Sequence, residues 1–201
     1  MYDIIFCVLP PMALDSIYST PPVLKGIVES AGYRARCYDF NLELFNQCNR
    51  NQDQFIRAQN YYQIKNYHQT NIEQEFTQKF YNYIVDTIVE SNAQYIGITV
   101  FSVFTHKPTV ELLMRLKERG LSDRVLLGGR GLTTTVFDTV EEFLPLTDEE
   151  RELDFVDVLK RYQLVSNTVL GDGEDAVLDF LKTGHTTTQK YRSEEHTSNS
   201  S

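Results

Sequence analysis

Two glycine-rich turns follow strand-like apolar stretches and form the strongest candidate for a ligand-binding site. Gly128 and Gly129 come directly after the apolar run at residues 124–127, and a second turn at residues 171–173 follows the run at 168–170. In an open parallel sheet, ligands bind at the carboxyl ends of the strands. Glycine has no Cβ, so a flat or phosphorylated ligand can approach the main chain there. The two turns therefore predict a ligand-holding α/β domain.

Each turn also has a simpler structural interpretation. Gly128 and Gly129 could form only a tight connection between a strand and a loop. The turn at residues 171–174 could be only the entry to a helix, because Asp172 and Glu174 in a first helical turn interact favourably with the helix dipole. The sequence leaves both alternatives open.

Three other positions near strand ends carry polar side chains. Ser102 ends the third predicted strand and either contacts a ligand or begins a turn. Asp39 and Asn41 follow the second strand, where they either contact a ligand or stabilise a turn. His106, close to Pro108, is expected to be an exposed loop histidine rather than a metal or substrate contact.

Several common motifs are absent from the sequence. There is no G-x-x-x-x-G-K-[ST] phosphate loop and no G-x-G-x-x-G after the first strand, so an ordinary NAD or FAD domain is not expected. Cys7, Cys37 and Cys48 have no C-x-x-C spacing and do not predict a metal site. Cys7 and Cys37 lie in predicted strands, where a buried thiol behaves as a small hydrophobe. The net charge of −9 argues against nucleic acid as a partner.

The elements that must position these groups alternate regularly between strand and helix. Apolar runs predict strands at residues 3–9, 95–102, 124–127 and 168–170, and an alternating pattern predicts a strand at residues 34–40. Helical periodicity is found at residues 23–31, 72–91, 108–119, 147–161 and 175–182. The pattern predicts an α/β fold with a Rossmann-like, open, mainly parallel five-stranded sheet and helices on both faces.

The segment at about residues 41–74 interrupts this rhythm. It is rich in Asn, Gln and Tyr and predicts an inserted, partly helical segment over one end of the sheet. A disordered linker is the alternative, but the tyrosines argue against it. The insertion belongs to one predicted domain of residues 1–184.

Residues 185–201 form a tail that is expected to be disordered, since no apolar periodicity continues beyond residue 186. From Arg192 onward the tail also looks like translated sequencing-adapter read-through, so we expect the natural protein to continue past this chain. No apolar run reaches the roughly 18 residues of a membrane helix, and the N-terminus lacks the basic region of a signal peptide. The sequence predicts a cytoplasmic protein without a membrane partner.

The order of these features resembles the N-terminal cobalamin-binding-like domain of radical S-adenosylmethionine enzymes. The resemblance covers about residues 1–184. It rests on a Pro-rich first loop followed in order by the helix at residues 23–33, Asp39-Phe-Asn41, Ile96-Gly-Ile-Thr-Val-Phe-Ser102, Leu126-Leu-Gly-Gly129 and Leu170-Gly-Asp-Gly-Glu-Asp-Ala-Val177.

The resemblance implies a Rossmann-like domain that holds cobalamin with its lower axial ligand displaced and its nucleotide tail threaded into the sheet. It implies contacts near the tail from Ser102 and from the glycine turns, while the first loop faces the corrin ring. Asp172 and Glu174 suit a phosphate poorly, and they would instead either accept hydrogen bonds from corrin amides or cap the final helix. The implied cofactor-binding residues are Pro11, Met12, Thr20, Asp39, Ser102, Val103, Phe104, Gly128, Gly129, Arg130, Gly171, Asp172 and Gly173.

Two departures from the resemblance limit the activity of the chain. The first loop has no Asp-x-His-x-x-Gly, the motif that coordinates cobalt through histidine, so histidine-off cobalamin is expected. The radical motif C-x-x-x-C-x-x-C is also absent, and without it no [4Fe–4S] cluster can form there. The chain alone is therefore not expected to cleave S-adenosylmethionine.

The sequence thus predicts a cobalamin-binding module of a methyltransferase-like enzyme that presents the corrinoid to a radical S-adenosylmethionine barrel in cis. The cluster and S-adenosylmethionine would belong to that absent barrel. The alternatives are a cofactor-free structural or substrate-docking domain of the same kind of enzyme, and a free-standing flavodoxin-like protein with another small ligand.

Overall fold

The computed structural model describes residues 1–14 and 19–186 and contains a parallel sheet of five strands. The strands are β1 (Ile4–Val8), β2 (Ala35–Asp39), β3 (Tyr95–Thr99), β4 (Val125–Gly128) and β5 (Asn167–Val169). Their order across the sheet is β2-β1-β3-β4-β5, and every neighbouring pair is parallel. The predicted open, Rossmann-like α/β fold is confirmed.

The strand order reverses between β1 and β3, because the chain passes first to β2 on one side and then to β3 on the other. At such a switch point, connections leave toward opposite faces and a crevice opens outside the carboxyl ends of the strands. The topology therefore places a crevice at the carboxyl ends of β1 and β3, on the same edge of the sheet as the glycine turns that follow β4 and β5.

Seven α-helices surround the sheet within the described residues. They are α1 (Thr20–Ser30), α2 (Phe40–Gln47), α3 (Gln52–Gln63), α4 (Asn71–Glu90), α5 (His106–Glu118), α6 (Phe155–Arg161) and α7 (Gly173–Thr183). The tertiary structure has helices on both faces, as predicted. No described helix is both long enough and apolar enough to cross a membrane.

The two faces of the sheet carry separate apolar cores. On β1, Ile4 and Phe6 belong to a smaller core with α1 and α7, whereas Ile5 and Cys7 belong to a larger core. The alternation follows from the period of two along a strand. The larger core also receives buried side chains from α2 to α6. Cys7 is fully buried there, as expected for a small hydrophobe.

The segment after β2 is ordered and helical rather than a linker. It contains α2 and α3, and α3 buries Phe55 and Tyr62 against the larger core. Asn51 begins α3 by accepting a hydrogen bond from the Gln54 N–H (3.0 Å). The aromatic residues thus supply the apolar surface that holds these helices on the domain.

The prediction of an acidic helix at residues 147–161 is wrong for the first half of this range. Residues 153–154 are extended because they pair with a distant segment: Val136 N–H donates to Leu153 O (3.0 Å) and Phe155 N–H donates to Thr134 O (2.9 Å). A short 3-10 turn, Glu150–Glu152, precedes this pairing, and α6 begins only after it. A tertiary contact has therefore overridden local helix propensity.

Other expected boundaries change by a few residues. Helix α5 begins at His106, two residues before the expected Pro108, since proline is tolerated in a first helical turn. In α1, Val23 begins the predicted helical periodicity of residues 23–31 but is 48% exposed. The N-cap Ser19 makes no capping bond through its side chain. The expected disorder of the tail falls mainly on residues 187–201, outside the described residues.

Candidate functional site

A cavity of about 320 Å³ opens at the carboxyl ends of the strands, between the sheet and helices α1 and α7. We call it the slot. Its deep part is apolar and is lined by Phe6, Leu24, Leu126, Val169 and Val177. Its outer part is lined by Thr20, Thr99, Phe101, Arg130, Asp172 and Glu174, together with the glycine turns. An apolar floor with a polar rim is the usual composition of a small-molecule site.

Gly97 and Gly128 both line the slot, but only Gly128 leaves open space in it. A Cβ on Gly97 would lie 2.8 Å from the Phe6 Cδ1 atom, so only glycine allows the Phe6 ring to cross this strand. Gly128 is different, because a Cβ there would meet only the Val169 Cβ at 3.9 Å. Gly128 therefore has room for a side chain, and its bare surface widens the slot.

Gly129 is required by the backbone. Its φ of 108° is a conformation that side-chain-bearing residues rarely adopt, and a Cβ would lie 2.4 Å from the Val100 carbonyl oxygen. The following turn is fixed to the same residue, since Gly131 N–H donates to Val100 O (3.0 Å). The tight-turn interpretation is thus correct for Gly129, which also lines the slot.

The charged groups of the slot lie at its rim. Arg130 is exposed, donates through Nε to Phe101 O (3.4 Å), and places its guanidinium 4.9 Å from the centre of the Phe101 ring. Asp172 precedes α7 and forms no capping bond through its side chain. Glu174 follows in the first turn of α7. The rim therefore combines one guanidinium with two carboxylates.

The structure brings seven of the sequence-predicted site residues into the slot. They are Thr20, Gly128, Gly129, Arg130, Gly171, Asp172 and Gly173. Met12 lies beside the slot in a small crevice that it shares with Thr20, Thr99 and Phe101. Pro11 is the buried residue before it. The glycine turns, although 43 residues apart in sequence (171 − 128), thus form one site.

The remaining predicted residues lie outside the slot lining. Ser102 turns the chain after β3: its carbonyl accepts a hydrogen bond from the Thr105 hydroxyl (2.7 Å). Val103 and Phe104 belong to the 3-10 turn that follows, and Phe104 is 43% exposed. Asp39 caps α2 by accepting from the Leu42 N–H (2.9 Å), which matches its turn interpretation.

Thr99 is the slot residue that sequence reasoning missed. It is the last residue of β3, opposite Gly128 of β4, and it lies two positions after Gly97. Residues two apart share a face of a strand. The sequence signal was therefore the Gly97-Ile-Thr99 spacing, but the strand was expected to continue to residue 102. Phe6 and Leu24 were also missed, since only packing brings them together.

The expectation that His106 is an exposed loop residue is wrong. His106 is fully buried at the start of α5, and its ring stacks on Phe155 with centres 3.8 Å apart. Its Nε2 lies 2.9 Å from Gly131 O, and its Nδ1 accepts the Phe137 N–H (3.1 Å). Burial lowers the pKa of His106 to about 4, so the ring is neutral near pH 7 and donates to Gly131. The loop after Gly129 covers this histidine.

The described residues contain no group of three His, Cys, Asp or Glu side chains placed to hold a metal ion. Burial raises the pKa of the Cys7 thiol, and it also raises the pKa values of Cys37 and Cys48. The three thiols therefore stay protonated near neutral pH.

Comparisons with known proteins give structural matches but no family. No family model matches the sequence, and no curated protein matches it. One solved structure that matches is described as a radical S-adenosylmethionine methyltransferase, TsrM, from Kitasatospora setae, with tryptophan substrate and a SAM analog bound. The sequence identity is 17% and the TM-score is 0.48. The match covers 92% of this chain but 27% of the other, so this chain spans about a quarter of that protein's length.

Proposed function

We propose that residues 1–184 form a module that binds cobalamin in a histidine-off form, with the nucleotide tail of the corrinoid in the slot. The observation that carries the proposal is the slot itself, which runs from the carboxyl edge down between the sheet and helices α1 and α7. Its floor is apolar, and the absence of a side chain at Gly128 widens it. A planar base requires such a flat apolar space.

The size of the slot favours the tail over the whole corrinoid. A volume of about 320 Å³ is at the lower end of the range for small-molecule sites. The base would lie against Phe6, Leu126 and Val177, and the hydroxyl of Thr99 would face the base or its sugar. The corrin ring would then lie outside the carboxyl edge, near the loop that follows β1.

The rim residues suit the polar parts of the same ligand. Arg130 is positioned to bind the phosphate of the tail, because guanidinium groups bind phosphate oxygens well. Asp172 and Glu174 would accept hydrogen bonds from the amide side chains of the corrin. None of the described residues that line the slot is a histidine.

In this proposal the chain binds and orients, and the reaction takes place elsewhere. When bound, the corrinoid supplies a cobalt centre that can carry a methyl group. The chain's own residues hold the tail, keep water from the base and fix the direction in which the ring faces. A radical S-adenosylmethionine barrel in cis would provide the [4Fe–4S] cluster and S-adenosylmethionine, and a cytoplasmic location stays a prediction.

A titration of the full chain with hydroxocobalamin tests the proposal. Gly128→Leu places a side chain in the slot, whereas Gly26→Leu is the matched control, since a Cβ there meets no atom within 4 Å. We expect wild type and Gly26→Leu to co-elute with the corrinoid in gel filtration and to give a base-off absorbance spectrum. Gly128→Leu should bind at least about tenfold more weakly, since its side chain would occupy the space of the base.

A cofactor-free structural or substrate-docking domain is the second candidate. The two rim carboxylates, Asp172 and Glu174, favour it, because they would repel the phosphate of a bound tail. A folded wild-type chain that retains no hydroxocobalamin would refute the first function and support this one. Equal binding by wild type and Gly128→Leu would place the ligand outside the slot.

A further inference from the structure

The loop that follows β1 is fastened to a residue far along the chain. The Met12 N–H donates to Asn41 Oδ1 (3.0 Å), and Asn41 Nδ2 donates back to Met12 O (3.1 Å). Asn41 is only 3% exposed, so both bonds are shielded from water. One carboxamide thereby satisfies both main-chain groups of a single loop residue, which fixes the position and the orientation of that residue.

Helix α3 adds a second carboxamide to the same point. Gln59 Nε2 donates to Met12 O (2.8 Å) and lies 3.3 Å from Asn41 Oδ1. We call these three residues, Met12, Asn41 and Gln59, the Met12 clasp. It joins the loop, α2 and α3 in one network of hydrogen bonds.

The Met12 side chain lies behind one wall of the slot without lining it. It is 7% exposed and shares a small crevice with Thr20, Thr99 and Phe101. These three residues also line the slot. A shift of Met12 would therefore move or uncover residues that are in contact with any bound ligand.

The end of α3 is itself held in place by polar contacts. The Tyr61 hydroxyl donates to Glu111 Oε2 (3.2 Å), and the Lys107 ammonium lies 3.7 Å from the centre of the Tyr61 ring. Lys107 also pairs with Glu142 (2.7 Å), which accepts the Asn66 N–H (2.9 Å). These contacts define the position of α3 and thus the point from which Gln59 reaches the loop.

We propose that Asn41 and Gln59 are positioning residues that act through Met12 to set the wall of the slot. The inference rests on the proposed function, since it assigns the helical segment after β2 the task of preparing the corrinoid site. The segment does not touch the nucleotide tail in this arrangement. It fixes the loop before the ligand arrives, which reduces the entropy lost on binding.

The test uses the full chain and two variants of the clasp. Gln59→Met keeps the length of the side chain but removes its donor, and Asn41→Asp keeps an acceptor for Met12 N–H but removes the donor to Met12 O. Gln54→Met is the matched control, because Gln54 is an exposed residue of the same helix. Hydrogen exchange of the ligand-free protein reports the Met12 amide directly, and hydroxocobalamin titration reports the site.

Both clasp variants should exchange the Met12 amide about tenfold faster than wild type, as expected for the loss of one buried hydrogen bond. Gln59→Met should also bind hydroxocobalamin about tenfold more weakly, while its melting temperature stays close to that of Gln54→Met. A general structural defect would instead lower the melting temperature of Gln59→Met. Its affinity for hydroxocobalamin would then stay unchanged at temperatures at which the variant is folded.

Three results overturn the inference in distinguishable ways. Unchanged exchange at Met12 in both variants would show that the clasp does not hold the loop. Faster exchange with unchanged hydroxocobalamin affinity would show that the loop does not shape the site. Failure of the folded wild type to bind hydroxocobalamin would refute the proposed function, and the exchange data would then still decide whether the clasp exists.

Discussion

Gly128 and Gly129 are adjacent in sequence, yet substitution by alanine should affect them very differently. In Gly129→Ala, the new residue would have to adopt a φ of 108°, which costs about 1–3 kcal/mol for a residue with a side chain. Its Cβ would also lie 2.4 Å from Val100 O, and relieving such an overlap costs about 1–3 kcal/mol. The free energy of unfolding should therefore fall by about 2–6 kcal/mol, a large part of a typical domain's stability.

Gly128→Ala should leave the stability within about 1 kcal/mol of wild type, because its Cβ meets only the Val169 Cβ at 3.9 Å. The added methyl group would instead narrow the slot. The two variants thus distinguish Gly129, which the backbone conformation requires, from Gly128, whose missing side chain affects only the width of the slot.

Urea unfolding followed by far-ultraviolet circular dichroism measures this difference. The chain has no tryptophan, so the peptide signal is the suitable probe. The slope of the free energy of unfolding against urea concentration should be equal in wild type and the two variants, since each protein exposes the same surface on unfolding. A loss of less than about 1 kcal/mol in Gly129→Ala, or equal losses in both variants, would contradict the backbone geometry on which the argument depends.

Three further substitutions test the packing around the site. The pKa of His106 in the folded chain is about 4, below the ordinary value of 6.5. As the pH drops, the unfolded chain therefore binds a proton on this histidine before the folded chain does. The free energy of unfolding should fall by about 3 kcal/mol between pH 6.5 and pH 4. His106→Phe should lower the free energy of unfolding by about 2–4 kcal/mol at pH 7, and this free energy should change less between pH 6.5 and pH 4 than in wild type. Urea unfolding at several pH values in this range measures the change, and an equal change in both proteins would contradict the prediction. Lys107→Met should cost about 1–3 kcal/mol by leaving Glu142 without its buried partner, and a cycle with Glu142→Gln should show coupling above about 0.5 kcal/mol rather than additivity. Gly97→Ala should cost about 1–3 kcal/mol through its contact with Phe6, and Phe6→Leu in that background should recover part of the loss in thermal melts, whereas fully additive losses would contradict the contact.

The alternation of strands and helices could be predicted because hydrophobic periodicity is a local property. Four apolar runs, one alternating segment and the helical patterns between them predicted a parallel sheet, and the structure has that sheet. The glycine turns at residues 128–129 and 171–173 could be placed at the carboxyl edge for the same reason. Once the strands are parallel, their carboxyl ends must meet at one edge.

The burial of polar side chains could not be predicted from local pattern. His106 follows a strand and precedes a proline, which is typical of a surface loop, but the chain after Gly129 folds over it. Asn41 was interpreted as a turn or ligand residue, whereas it bonds Met12 across 29 positions. A hydrogen bond of this separation depends on where helices pack, and the two segments carry no signal of each other.

The sequence by itself determined the fold class and the edge of the sheet at which ligands can bind, because both follow from repeating local patterns and the chirality of crossover connections. The tertiary structure decided which side chains share the slot. It placed Thr99, Phe6 and Leu24 there and left Ser102 in a neighbouring turn. Which side chains line a cavity depends on where one strand ends, on how two helices are oriented and on the hydrogen bonds between distant residues. These features are fixed only when the whole chain is packed.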